Sequence, residues 1–156
     1  MYRNRQAFTL VELTMVIVVI GILAAVAIPR FIDLNAVAKT AVAEKITGNM
    51  RSAISTVHAE WEIKNHVSSI EGQPITTNGW PGDTSMTTPK CKSLWEFLFP
   101  MGPSVEVNDT NPANARGFVA IGTPTKCYFT TQDQKKPYPL IQYVIATGAV
   151  TMTMQT

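Results

Sequence analysis

Glu12 is the one charged residue in an apolar run that covers residues 8–28. An ionised carboxylate in such a run costs a few kcal/mol or more, so its default reading is functional, with a cationic partner to be named. Two cysteines, Cys91 and Cys127, lie far beyond that run and offer either a disulfide or two buried free thiols. A metal site would usually want more ligands at short spacing. His58 and His66 stand eight residues apart, and Asp83 and Asp109 fall in turn-rich segments. No nucleophile elbow, phosphate loop or paired-histidine metal motif accompanies them, and a helix-surface His58 is expected to be solvated. These residues therefore argue against an enzyme, and they call for no cofactor and no metal. Asn108-Asp-Thr110, with Glu106 two residues before it, matches a glycosylation acceptor, a triplet frequent by chance. Asp109 with Asn108 and Asn111 could offer oxygens to calcium. Beside Pro112 these residues read first as turn formers.

The element that must hold Glu12 is a helix of membrane length. At about 1.5 Å per residue, the run reaches roughly 30 Å, the thickness of a bilayer's hydrocarbon core. Arg3 and Arg5 precede it with no compensating acid, which holds that end in the cytoplasm and exports the chain beyond Arg30. An ordinary secretory signal would be removed at small residues beyond the apolar stretch. Ala24, Ala25 and Ala27 are there, but Pro29 and a long helical pattern continue straight on. The alternative cut lies between Ala7 and Phe8; it removes residues 1–7 and leaves the apolar helix on the mature chain. In an exported region the even number of cysteines favours a bond between Cys91 and Cys127. Such a bond would stabilise the exported part by about 3 to 4 kcal/mol in the chain-entropy description.

Phe8-Thr-Leu-Val-Glu12-Leu, followed by Val-Ile-Gly21-Ile-Leu-Ala-Ala-Val-Ala-Ile-Pro29, resembles the N-terminus of type IV pilins and their pseudopilin relatives, over about the first 30 residues. The resemblance implies a prepilin with a class III signal. A prepilin peptidase would cut after Ala7 and methylate the new amine of Phe8, and Glu12, five residues into the mature chain, would help subunits register in a filament. Ala7 departs from the Gly usual before the cut, which implies slower cleavage at a site a small side chain still fits. The long exported loops and the disulfide also resemble, more weakly, the mannose-sensitive haemagglutinin type of pilin.

One globular domain fits beside a long helix in 156 residues, not two. A formal charge of +2 and a pI near 8.6 are too mild to mark a nucleic-acid binder. Past Pro29, where loss of a backbone donor predicts a bend, Ile32, Val37, Ala41, Ile46, Met50, Ile54, Val57 and Trp61 recur mainly at three- and four-residue steps. That spacing predicts one helix over 9–65 with an apolar face. Gly21 and Gly48 each lower helix propensity by about 1 kcal/mol relative to Ala and mark flexible or close-packing points. Residues 67–92 read as a loop, in which Trp80 anchors the chain on the domain. Ser93-Leu-Trp-Glu96 predicts a capped short helix over 94–99, stopped by Pro100. After a turn-rich stretch at 101–116 come four strand-like runs, 117–121, 126–131, 140–146 and 149–154, the last two joined by a tight hairpin at Thr147-Gly148. The expected class is α+β: a long N-terminal helix packed on a C-terminal antiparallel sheet of about four strands. The expected division is a leader at 1–7, a membrane or filament-core helix at 8–30 and a head at 31–156.

The reading is a structural subunit, stored in the inner membrane with its head exported, then extracted into a helical homopolymer on the cell surface for adhesion or motility. Its partners are further copies of itself, the prepilin peptidase and the pilus assembly machinery; neither a surface receptor nor DNA is named by the residues. A pseudopilin of a type II secretion system shares the N-terminus and differs in the head, and the disulfide leans against it. Glu12 argues against a tip-initiating minor pilin, which has no neighbour above it. A single-span membrane sensor or enzyme is the alternative of another class, and it would keep residues 1–7.

Overall fold

The computed structural model describes residues 8–107, 117–131 and 136–156, apart from the side chains of residues 29–33, 35 and 36. Residues that favour a helix, and an apolar run in which backbone groups are best satisfied internally, give α1 over Leu10–Ile63, continuous through Pro29. It ends slightly before the expected limit. Asn65 and His66 both adopt φ of 61°, and the His66 N–H donates to the Trp61 carbonyl at 3.0 Å, closing the last turn in the manner of a Schellman cap.

The chain divides into two units, Met1–Ala38 and Lys39–Thr156. In the first, the stretch Leu10–Ile28 has a mean hydropathy of 2.7, and none of its side chains is buried. In the second, α1 buries Ala43, Ile46, Thr47, Met50, Ile54, Val57 and Trp61 on one face. Val37 and Ala41, expected on that face, are exposed instead. The Thr40 hydroxyl donates to the Met154 sulfur at 3.8 Å, and burial along α1 begins at Ala43.

After α1, β1 (Ser69–Ile70) and β2 (Gln73–Pro74) form a small hairpin inside the expected loop. Its turn residues Glu71 and Gly72 have φ of 48° and 82°, the paired positive values of a tight hairpin turn. The second helix, α2, spans Thr88–Leu98 rather than 94–99. Pro89 occupies its first turn, where a missing N–H costs nothing, and the Ser93 hydroxyl donates back to the Pro89 carbonyl. Ser93 is thus an interior residue, not a cap; the stop before Pro100 is as expected.

The main sheet has five strands where about four were expected, in the order β3 (Val105–Val107), β4 (Phe118–Thr123), β5 (Lys126–Thr131), β6 (Tyr138–Val144) and β7 (Ala149–Gln155). Every pairing is antiparallel except β3 with β4. The additional strand, Val-Glu-Val, is too short to announce a period of two within the turn-rich stretch. Val144 pairs with Ala149, so the last connection has four residues rather than two, because Ile145 turns inward into the core.

Cys91 in α2 is bonded to Cys127 in β5, with Cα atoms 5.6 Å apart, as the cysteine count suggested. Around that bond Trp95 meets Phe99, Phe118 and Phe129 with ring centroids 4.8 to 5.0 Å apart, a range favourable for tilted aromatic pairs. Gly122 lets α2 begin there. A Cβ on it would collide with the Thr87 carbonyl carbon, and its N–H donates to the Thr88 hydroxyl at 3.1 Å.

Candidate assembly site

Thr9 and Glu12 close a reciprocal cap on the first turn of α1. The Thr9 N–H and hydroxyl both donate to Glu12 Oε2, at 2.9 and 2.8 Å, and the Glu12 N–H donates to the Thr9 hydroxyl at 3.3 Å. Such a box satisfies donors that the helix start leaves open, and it sets a negative charge at the positive end of the helix dipole. Glu12 therefore has a local partner, Thr9, which a reading confined to cations misses. The signal was in the sequence: Thr9-Leu-Val-Glu12 is the capping pattern before an apolar run.

Both bonds from Thr9 fall on one oxygen. Among the described residues Oε1 accepts nothing, although an ionised carboxylate can accept several donors. Phe8, immediately before the box, is 84% exposed. The arrangement is an anion with spare acceptor capacity at the tip of an exposed apolar helix, suited to receiving a cation from outside. It contains no nucleophile and base in contact. Ala7 lies outside the described residues.

The head holds no comparable site among its described residues. His58 is not simply solvated, as expected from a helix surface: its ring stacks on Trp80 at 4.1 Å and faces Trp61 at 5.6 Å, and His66 covers Trp61 at 4.0 Å. His58 Nδ1 lies 3.0 Å from the Gly79 carbonyl. Trp80 does anchor its loop, as expected; a Cβ on Gly148 would collide with its ring, so the turn before β7 closes against it. The buried Tyr143 hydroxyl donates to the Pro81 carbonyl at 2.7 Å, and burial pushes its pKa well up from the ordinary phenolic value. The Asp83 carboxylate accepts from Lys90 and from the Thr84 N–H, which hold its pKa below the usual carboxylate range. Among the described residues no three His, Cys, Asp or Glu side chains gather as a metal would require. Asn108, Asp109 and Asn111 lie outside the described residues.

Comparison with known proteins adds to this geometry. Residues 2–28 match the family model of the prokaryotic N-terminal methylation motif. The chain is 37% identical over 92 residues to the type IV narrow pilus major component PilA5 of Thermus thermophilus, covering 56% of this chain and 79% of that protein. It is 33% identical over 78 residues to the type IV major pilin protein PilE1 of Neisseria gonorrhoeae, covering 48% and 47%. To the type IV major fimbrial protein FimA of Dichelobacter nodosus it is 44% identical over 88 residues, covering 51% and 55%. The chain thus spans about half the length of the last two. No solved structure gives a significant match. The mannose-sensitive haemagglutinin likeness gains no support from these relatives.

Proposed function

This chain belongs to the type IV pilins, structural subunits that the prepilin peptidase processes at the inner membrane and that polymerise into the extracellular pilus, and from that premise we propose how Phe8 and Glu12 assemble it. Residues 1–7 are the leader, the cut falls between Ala7 and Phe8, and the new amine of Phe8 is methylated. Residues 8–30 then form the membrane and filament-core segment, with the head beyond, and Pro29 supplies a bend as the assembly machinery draws the helix from the bilayer. The names of the relatives support a major component of the pilus rather than a pseudopilin.

In the isolated subunit the cap from Thr9 keeps the Glu12 carboxylate satisfied in an apolar setting. In the filament its unengaged oxygen accepts from the cationic amine of Phe8 on a neighbouring subunit. Burying both charges is unfavourable unless they meet, so the pair rewards one register of the subunits and penalises others. The observation that carries this reading is the cap that spends only Oε2 and leaves Oε1 open.

The test is Glu12→Leu in the full chain. Membrane insertion and cleavage should persist, because a leucine suits the apolar run. Filaments sheared from cells and counted by electron microscopy should fall by at least about tenfold, since the neighbour's amine is left buried and unpaired. Mixed expression with the native subunit should restore part of the yield. Normal filaments from Glu12→Leu alone would remove the pairing mechanism.

A further inference from the structure

Gly48 has no evident reason inside its own subunit. It lies in α1 beside the buried Thr47 and two residues before the buried Met50, yet it is itself exposed, and a Cβ added to it would meet nothing within 4 Å. Its φ is not in the left-handed region that would demand glycine. Other glycines of the head are explained from within: a Cβ on Gly79 would collide with the Trp61 ring, on Gly122 with Thr87, and on Gly148 with Trp80. A glycine in a helix interior is unfavourable relative to alanine, so a helix that keeps one in open space has its reason elsewhere.

The remaining occupant is a second copy of this chain. The subunit polymerises, and the same helix carries Leu10–Ile28, an apolar stretch with no side chain buried in the subunit. Once that stretch has left lipid, only other copies can cover it. Resting on the filament reading above, we infer that Gly48 is a crossing point, where the apolar stretch of another copy's α1 approaches the α1 backbone more closely than a side chain would permit. Small residues at helix crossings allow such backbone approach, and the contact gains by dispersion what the helix loses in propensity.

Curvature of α1 over its own sheet is the competing reason for a helix glycine, and the two are separable. Gly48→Ala in the full-length subunit, held in detergent, should raise the melting temperature by about 2 to 4 °C through helix propensity. The same variant should yield fewer filaments in cells, and Gly48→Leu should reduce them by about tenfold or more, as overpacking does. Membrane level and N-terminal cleavage should match the native chain in both. A fall in melting temperature for Gly48→Ala would assign the glycine to curvature and overturn the inference, as would normal filaments from Gly48→Leu. Absence of filaments from the native chain would instead defeat the filament reading itself.

Discussion

The two units of this chain differ in what completes them. Lys39–Thr156 is finished by its own residues: one face of α1, the inner faces of β4 to β7 and the α2 side chains Leu94 and Trp95 bury one another around the Cys91–Cys127 bond. In Met1–Ala38 the stretch Leu10–Ile28 leaves every apolar side chain accessible, so its free energy lies in the bilayer or in other subunits. The contrast teaches where to look for the effect of a change. A substitution in the buried core of the head should register in thermal unfolding, and one on an exposed face of α1 should register in processing or assembly.

The largest expected effect breaks processing while sparing the head. Replacing Ala7 by a bulky residue, as in Ala7→Trp, should leave uncut precursor in the membrane and abolish filaments, while Ala7→Gly should mature at least as fast as the native chain. Immunoblots of membrane fractions read both; normal maturation of Ala7→Trp would displace the assigned cut. Next in size is removal of the disulfide. The double change Cys91→Ala with Cys127→Ala should destabilise the head by about 4 kcal/mol in the chain-entropy description, with N-terminal cleavage unchanged. Thiol labelling of the native protein without reductant should find no reactive cysteine, and labelling of both would contradict the bond.

A smaller loss is expected from Tyr143→Phe. It leaves the Pro81 carbonyl without its buried donor, and denaturant titration should show a loss of about 1 to 2 kcal/mol. The smallest effect belongs to Asp83, which is too exposed to contribute much. Because its pKa is lowered in the folded state, its contribution is present at neutral pH and fades as pH falls below the ordinary value of 3.8 and through the lowered one. Asp83→Asn should therefore cost slightly at pH 7 and nothing at the acid end, as read by melting temperature across pH. A constant difference at every pH would point to the Thr84 bonds rather than to charge.

Long periodic signals made much of this molecule legible in advance. Ile46, Met50, Ile54, Val57 and Trp61 keep helical spacing over several turns, and they are the residues α1 buries. Lys126–Thr131 and the alternation of Thr151 and Thr153 with Met152 and Met154 were readable because a period of two persists there. Short elements were not. Val105–Val107 has three residues and pairs in parallel with a strand that begins eleven positions after it ends, a partnership no local pattern encodes. Ser93 carries the residue types of a cap in the middle of α2, because the true start rests on Pro89 and on room made by Gly122, far along the chain. At the assembly site Glu12 was conspicuous because a charge in an apolar run stands out. Thr9 was legible too, as the first residue of a capping pattern before an apolar run, but a search for a cationic partner passes over it until its bonds to Glu12 are seen.

The central claim is that the exposed apolar helix stays on the mature chain and begins at Phe8. Intact-mass spectrometry of subunits from sheared filaments, with sequencing of the N-terminal peptide, tests it most directly. The account predicts a single species that starts at Phe8 with a methylated amine and retains Glu12. A chain that still starts at Met1, or one that has lost the apolar stretch, would contradict it.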